Sequence, residues 1–408
     1  MSALGARIVT FAATFAVAGT LGITVSPTVA AAATAAPMAA RVAAPASSVA
    51  INSLKSQHIN YCAKLSKRHK TTLNKQLRKK RLTNQQCSVK VRALRAAKRA
   101  PVKSKPQPAP SPAPTPTSTV FGLAANGEAA LAQAESKIGL KAGIVGVFTD
   151  FKHPFPTTDA NHAKARGASL LVSWEPWNWE VKSQVQPEYS LDRITAGDHD
   201  AYIREFARDA AATNRPVFVR FAAEMNGDWH VWSTGANGNG PGDYIAAYRH
   251  VVDVSRAAGA SNIKWMFNPI VSYEGSTPLT SLYPGSNYVD WVALDGYNWG
   301  ALKWGWQSFT DVFTMGLAEI KAVAPGKPLG IAEIGSTPGP LMAAWVTDSF
   351  AKAQANGVRM FVWFEHNKET DWRLSADPTV AAAAKTAATK PGWVSGGDYT
   401  RVASALGL

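Results

Sequence analysis

The first 119 residues of this chain contain no aspartate and no glutamate, although 19 of its 43 lysines and arginines lie there. The remainder carries 24 basic and all 28 acidic side chains, a net charge of −4 against +15 for the full 408 residues. The excess positive charge therefore belongs to the N-terminal third. It gives no ground for reading the rest of the chain as a nucleic-acid binder. Cysteine is nearly absent too. Only Cys62 and Cys87 occur, without a Cys-x-x-Cys, which removes thiol redox and cysteine–zinc chemistry. No G-x-G-x-x-G follows an early strand, so a dinucleotide-binding sheet lacks its fingerprint. The lack of G-x-S-x-G speaks against a serine hydrolase, and no His-x-x-x-His spacing supports a metal site. No cofactor is expected.

What is present divides the chain into four segments. Residues 8–25 form an uncharged apolar run after Arg7, followed by a stretch of small residues, which is the order of an export signal. We assign residues 1–35 to a signal peptide; an uncleaved membrane anchor is the alternative, at the lower limit of a span. Residues 36–100 are a basic segment with loosely helical leucine spacing. Outside the cell Cys62 and Cys87 would pair, closing a loop that stabilises the segment by roughly 3 kcal/mol. Residues 51–105 suit an electrostatic tether to an anionic cell-wall polymer, the alternative being a solvated basic segment. Residues 101–119 are a proline-rich linker. The expected location is extracellular, with cell-wall association, and no stable membrane span.

From residue 120 to 408 the texture changes to short apolar runs alternating with alanine-rich amphipathic stretches. Eight strands are expected, at Val120–Ala124, Gly143–Phe148, Ser169–Trp174, Pro216–Ala223, Ile263–Asn268, Trp291–Tyr297, Pro328–Ile334 and Val358–Phe364. Helical patterns fall at Glu128–Ile138, Asp200–Thr213, Asp243–Ala258, Phe309–Val323, Leu341–Asn356 and Thr379–Ala388. Alternation of this kind implies parallel pairing and an α/β fold, a (β/α)8 TIM barrel, with a doubly wound open sheet as the alternative.

Barrel sites gather at the C-terminal strand ends. Those ends read Trp174-Glu175-Pro176-Trp177, Glu224-Met225-Asn226, Asp295-Gly296-Tyr297-Asn298-Trp299, Glu333 and Trp363-Phe364-Glu365-His366. Cleaving a glycosidic bond needs one protonated carboxyl for the leaving oxygen and one ionised carboxylate to attack carbon or activate water. Glu224 and Glu333 close the fourth and seventh strands, across the mouth from each other. Glu175, Glu365 and Asp295 compete for the role, and spacing does not separate the pairs.

Three motifs, RFAAEMNGDWHVW, WVALDGYNW and PLGIAEIGS, resemble glycoside hydrolase family 26 over Val120 to about Pro378. This is a family of retaining barrels that includes β-mannanases, β-1,3-xylanases and lichenase-type β-glucanases. The resemblance implies Glu224 as acid/base, Glu333 as nucleophile and Tyr297 as the hydroxyl that orients the nucleophile. It implies Trp229 and Trp363 as aromatic platforms and puts Arg220 and Asn226 beside the acid/base. Trp174, Trp177 and Trp299, clustered at strand ends, complete the expected sugar-binding set. The chain departs from the family's mannanases at Ala223, where they usually carry histidine, so the substrate stays open among mannan, β-glucan and xylan. The expectation is an exported retaining endo-β-glycosidase. A carbohydrate-binding wall protein on a degraded barrel is the alternative.

Overall fold

The structure, a computed structural model, describes residues 118–408. The export signal, the basic segment with its two cysteines and nearly all of the linker lie outside the described residues. No helix among the described residues is long and apolar enough to cross a membrane.

The elements follow one another as β1 (Thr119–Ala125), α1 (Glu128–Ile138), β2 (Ile144–Asp150), α2 (Thr157–Ala165), β3 (Ser169–Glu175), α3 (Leu191–Thr195), α4 (Asp200–Ala212) and β4 (Val217–Phe221). Then come α5 (Asp243–Ala257), β5 (Ile263–Phe267), β6 (Trp291–Asn298), α6 (Phe309–Val323), β7 (Leu329–Ser336), α7 (Met342–Ala355), β8 (Val358–Glu365), α8 (Pro378–Ala388), β9 (Trp393–Val394) and α9 (Tyr399–Leu406). Strands β1 to β8 pair in parallel in chain order, and β8 and β2 both pair with β1, closing the ring. The fold is a (β/α)8 TIM barrel. The eight expected strands all form, within two residues at either end. Helices α2, α3 and α9 and the short β9, which pairs with β1, went unread; they are short or close the barrel's far end.

Side chains alternate along each strand between the barrel interior and the surrounding helices. Val120, Ile144, Leu171, Phe218, Met266 and Met360 fill the interior with Trp291, Ala293, Ala332 and Val362. Their neighbours in sequence, such as Leu170, Val172, Val217, Val219 and Phe361, join the larger layer beneath the helices. This parity decides which strand-end residues enter the mouth.

Two departures from regular strand geometry shape that mouth. Beyond β4, Ala222 and Glu224 both hold positive φ, at 49° and 56°, a region disfavoured for residues with a side chain. The neighbouring strands pin this backbone: Ala222 N donates to Trp174 O at 3.0 Å and Glu224 N to Asn268 O at 2.8 Å. The second departure is a bulge in β7. Leu294 pairs with Ile331 but Asp295 with Glu333, and on the other side Ile331 pairs with Phe361 but Ile334 with Trp363. β7 thus carries one extra residue.

Candidate active site

In β4, Phe218 faces the barrel interior, so Arg220, two residues on, does the same, below the mouth. It is a buried hub. Nε donates to Ser173 Oγ at 2.6 Å, Nη1 to Asp295 Oδ2 at 2.7 Å, and Nη2 to Glu333 Oε1. In β6, Trp291 and Ala293 point inward, which sends Asp295 and Tyr297 inward too. In β7 the inward residue is Ala332, and regular alternation would turn Glu333 toward the helices. The bulge resets the parity and brings Glu333 back to the mouth, as bulges beside active sites do.

Tyr297 donates its hydroxyl hydrogen to Glu333 Oε2, so both oxygens of that carboxylate are bound. Burial, reinforced by the charges of Glu333, Glu224 and Asp295, pushes the Tyr297 phenol well above its ordinary range. It therefore keeps its proton. One carboxyl oxygen from each of Glu224, Asp295 and Glu333 lies within 4.8 Å of the others. Three acids this close are the donor set of a cation site. Here Arg220 supplies the cation: it bonds two of the three directly and its charge reaches Glu224.

Glu224 sits at the rim above Arg220. Its Oε2 accepts from Trp229 Nε1 at 2.9 Å and lies 3.2 Å from His230 Nε2. Gly227 makes the first contact possible, because a Cβ there would lie 2.7 Å from the Trp229 ring. Burial pushes the Glu224 carboxyl up. The hydrogen bond and charge of His230, the Trp229 indole and Arg220 together outweigh it and hold the group below its ordinary value.

Around these acids runs a cleft of about 1290 Å³, larger than the ~300–1,000 Å³ typical of small-ligand pockets. On one wall Trp177 and Trp179 each donate an indole N–H to Glu175 Oε2 at 2.8 Å. On another, Trp299 lies under the Lys303 ammonium, 3.5 Å from its ring centre, with Trp304 62% exposed beside it. Trp229 and Tyr273 stack at 5.9 Å near Glu224. His366 faces the cleft against Phe364 and Phe148, and burial lowers its pKa to about 4, so it is neutral.

Of the residues expected from sequence, the structure brings Glu224, Glu333, Tyr297, Arg220, Trp177, Trp229 and Trp299 to the cleft. Four expectations need correction. Trp174 follows the outward parity of Leu170 and Val172, is fully buried, and stacks on Phe206 of α4 at 3.8 Å; it is core, not a sugar platform. Trp363 shares the outward parity of Phe361, packs on Trp345 and donates to Trp372 O at 2.7 Å. The indole lining the cleft in its place is Trp372. Asn226 is buried beneath the surface, exchanging hydrogen bonds with Ile270 O at 2.9 Å and Ile270 N at 3.0 Å, and so ties two loops together. Arg220 directly bonds Glu333 and not Glu224. Among the competing acids, Glu365 accepts from Leu374 N and Ser375 N, a structural cap, and Asp295 lies beneath the mouth.

Sequence reasoning gave no role to His230 or to His366, although His366 stood in a strand-end cluster, and it read Asp371–Leu374, which holds Trp372, either as one side of the cleft or as structural. His230 was in plain view beside Trp229, but its contact depends on a ring stack with Trp232 at 4.2 Å. The imidazole beside the rim carboxyl comes from position 230 and not from 223.

A closed parallel barrel whose fourth and seventh strands hold facing carboxyl groups in an aromatic cleft defines a glycosidase-type barrel. Residues 158–360 match the sequence profile of Glycosyl hydrolase family 26. The chain belongs to that family, through its barrel domain. It is 38% identical over 273 residues to Endoglucanase H of Acetivibrio thermocellus, covering 64% of this chain and 29% of that protein. It is 30% identical over 179 residues to Mannan endo-1,4-beta-mannosidase A and B of Caldalkalibacillus mannanilyticus, 40% of this chain and 32% of the other. The matches thus span about a third or less of those relatives' lengths. Among solved structures, a β-mannanase of this family from Bacteroides ovatus superposes with TM-score 0.53 at 16% identity, covering 70% of this chain and 92% of that one. A Cellulomonas fimi endo-β-1,4-mannanase double mutant gives 0.53 at 20% identity, covering 71% and 74%. At such identities the likeness concerns the fold.

Proposed function

We propose that the barrel hydrolyses a β-linked polysaccharide with retention of configuration, using Glu333 as nucleophile and Glu224 as acid/base. One observation carries the reading. The two carboxyl groups approach within 4.8 Å at their nearest oxygens. A nearest-oxygen approach that short is compatible with the ~5–5.5 Å carboxyl separation of retaining enzymes. Arg220 and Tyr297 aim donors at both oxygens of Glu333, which holds the carboxyl group in a fixed orientation for attack. In this reading Glu224 protonates the leaving oxygen while Glu333 forms the glycosyl ester. The resulting Glu224 carboxylate then draws a proton from the water that releases the sugar.

The volume of the cleft, about 1290 Å³, supports binding of several sugar units and so internal cleavage of a polymer. Similarity to an endoglucanase, together with Ala223 lining the cleft, favours a β-glucan over mannan and xylan. Export and retention on anionic wall polymers through residues 51–105 belong to the same proposal, resting on the apolar run at residues 8–25 and the uniformly basic segment.

Reducing-sugar release over β-glucan, mannan and β-1,3-xylan tests the substrate; binding without release on every polymer would favour the carbohydrate-binding alternative. Glu333→Ala should abolish turnover and, with azide, yield the inverted glycosyl azide. Undiminished turnover in that variant removes Glu333 from the role. Salt-sensitive retention on wall material should disappear when residues 31–119 are deleted.

A further inference from the structure

His230 lies 3.2 Å from Glu224 Oε2, the same oxygen that Trp229 Nε1 reaches at 2.9 Å. Its ring is not free to choose that contact. It stacks at 4.2 Å and 11° on Trp232, whose indole is fixed by a 2.8 Å bond to Ala223 O, in the residue next to Glu224. Its backbone N–H donates to Ser233 Oγ at 3.2 Å. The imidazole is built into the rim with one nitrogen on the rim carboxylate.

We infer that His230 acts through Glu224 as its proton partner, holding the acid/base proton between turnovers and taking it back after each one. The inference rests on the assignment of Glu224 proposed above. In the resting site the pair shares one proton across the contact between His230 Nε2 and Glu224 Oε2. When a sugar excludes water, the proton passes to Glu224. Glu224 gives it to the glycosidic oxygen as the C1–O bond breaks and Glu333 bonds to C1. In the second half, water bonds to C1, the Glu333 ester bond breaks, Glu224 accepts the water's proton and it returns to His230. Proton and charge balance over the cycle, and no further reactant is needed.

The surroundings favour this arrangement. His230, Trp229 and Arg220 pull the Glu224 carboxyl below its ordinary value, against the upward push of burial. The charged and titratable groups facing the pair are Arg220 from β4, Asp295 and Tyr297 from β6, Glu333 from β7, Tyr273 after β5 and Asp228 in the same loop. Among them Arg220 alone is a permanent cation, and it is engaged with Asp295 and Glu333. His230 is the imidazole in direct contact with Glu224.

A leaving-group comparison separates this from a purely structural role. His230→Phe keeps a ring on Trp232 and removes the nitrogen. It should lower kcat on polysaccharide by about 10-fold or more, the scale of impaired acid catalysis. It should lower kcat/KM for a dinitrophenyl β-glycoside far less than for polysaccharide, because kcat/KM reports the first step and that leaving group needs no proton. The alkaline limb of kcat/KM should move down by about one pH unit, since a coupled pair keeps its last proton to higher pH than the carboxyl alone. His230→Gln, which can keep a hydrogen bond without titrating, should show the same limb even if the phenylalanine variant folds poorly. An unmoved limb in both variants, or equal losses on both substrates, overturns the inference. Loss of the Glu333→Ala azide product would instead overturn the underlying mechanism.

Discussion

Tyr297, near the end of β6, donates its hydroxyl hydrogen to Oε2 of Glu333 on β7. Because burial and the surrounding carboxylates hold the phenol far above its usual range, this donor persists at every working pH. Removing it with Tyr297→Phe deletes one hydrogen bond to a charged group, worth about 1.5–3 kcal/mol. If that bond strengthens in the transition state, as the proposed role of Glu333 requires, kcat/KM falls by about 10–100-fold. Steady-state kinetics on soluble substrate measure it, and a loss below twofold would make the contact incidental.

Arg220 is the counterion of two buried carboxyl groups. Arg220→Met keeps much of the volume but strands Asp295 and Glu333 in the barrel. Breaking a buried ion pair from one side destabilises by about 3–5 kcal/mol. Urea unfolding should show this loss. A midpoint within error of the parent would mean that water or protonation compensates.

The two tryptophans of Trp174-Glu175-Pro176-Trp177 should separate cleanly. Trp174→Ala empties a site stacked on Phe206 and should cost about 3–5 kcal/mol in stability. Trp177→Ala, on a half-buried residue facing the cleft, should spare most of that stability and raise KM for long oligosaccharides. Thermal melts and kinetics of the two variants distinguish core from cleft; identical profiles would contradict the parity assignment.

His366 gives the barrel a pH signature. Burial, aided by the Lys368 charge, holds its pKa at about 4 against an ordinary 6.5. The unfolded chain therefore binds a proton that the folded barrel refuses, so stability falls as pH drops from 6.5 toward 4 and levels off below. The gap between those values bounds the effect at about 3 kcal/mol. Melting temperatures from pH 7 to 4 should decline more steeply for the parent than for His366→Phe. Parallel curves would place the titration elsewhere.

Much of this was legible in the residues. Alternating apolar runs marked the eight strands and put Glu224 and Glu333 at strand ends among competing acids; the family-like motifs, not the spacing, singled out those two and Tyr297. Trp174 and Trp363 were misread for a reason also present in the sequence: each is an odd number of residues from an inward-facing neighbour, Leu171 and Val362 respectively, and so faces the helices. Counting aromatics near strand ends without that parity mixes core with cleft.

Local pattern determined this protein's barrel, its acids and their order along the chain, because strand periodicity and helix amphipathicity are short-range. Tertiary structure alone decided where the acids point and what they touch. The bulge that turns Glu333 into the mouth exists only as a mismatch between β7 and its neighbours β6 and β8. The reach of Arg220 to Asp295 and Glu333 spans 75 and 113 residues of sequence. The stack of His230 on Trp232 depends on how one loop folds over the β4 end. These are relations between separate elements, set by how strands register and pack, and no single stretch of sequence contains them.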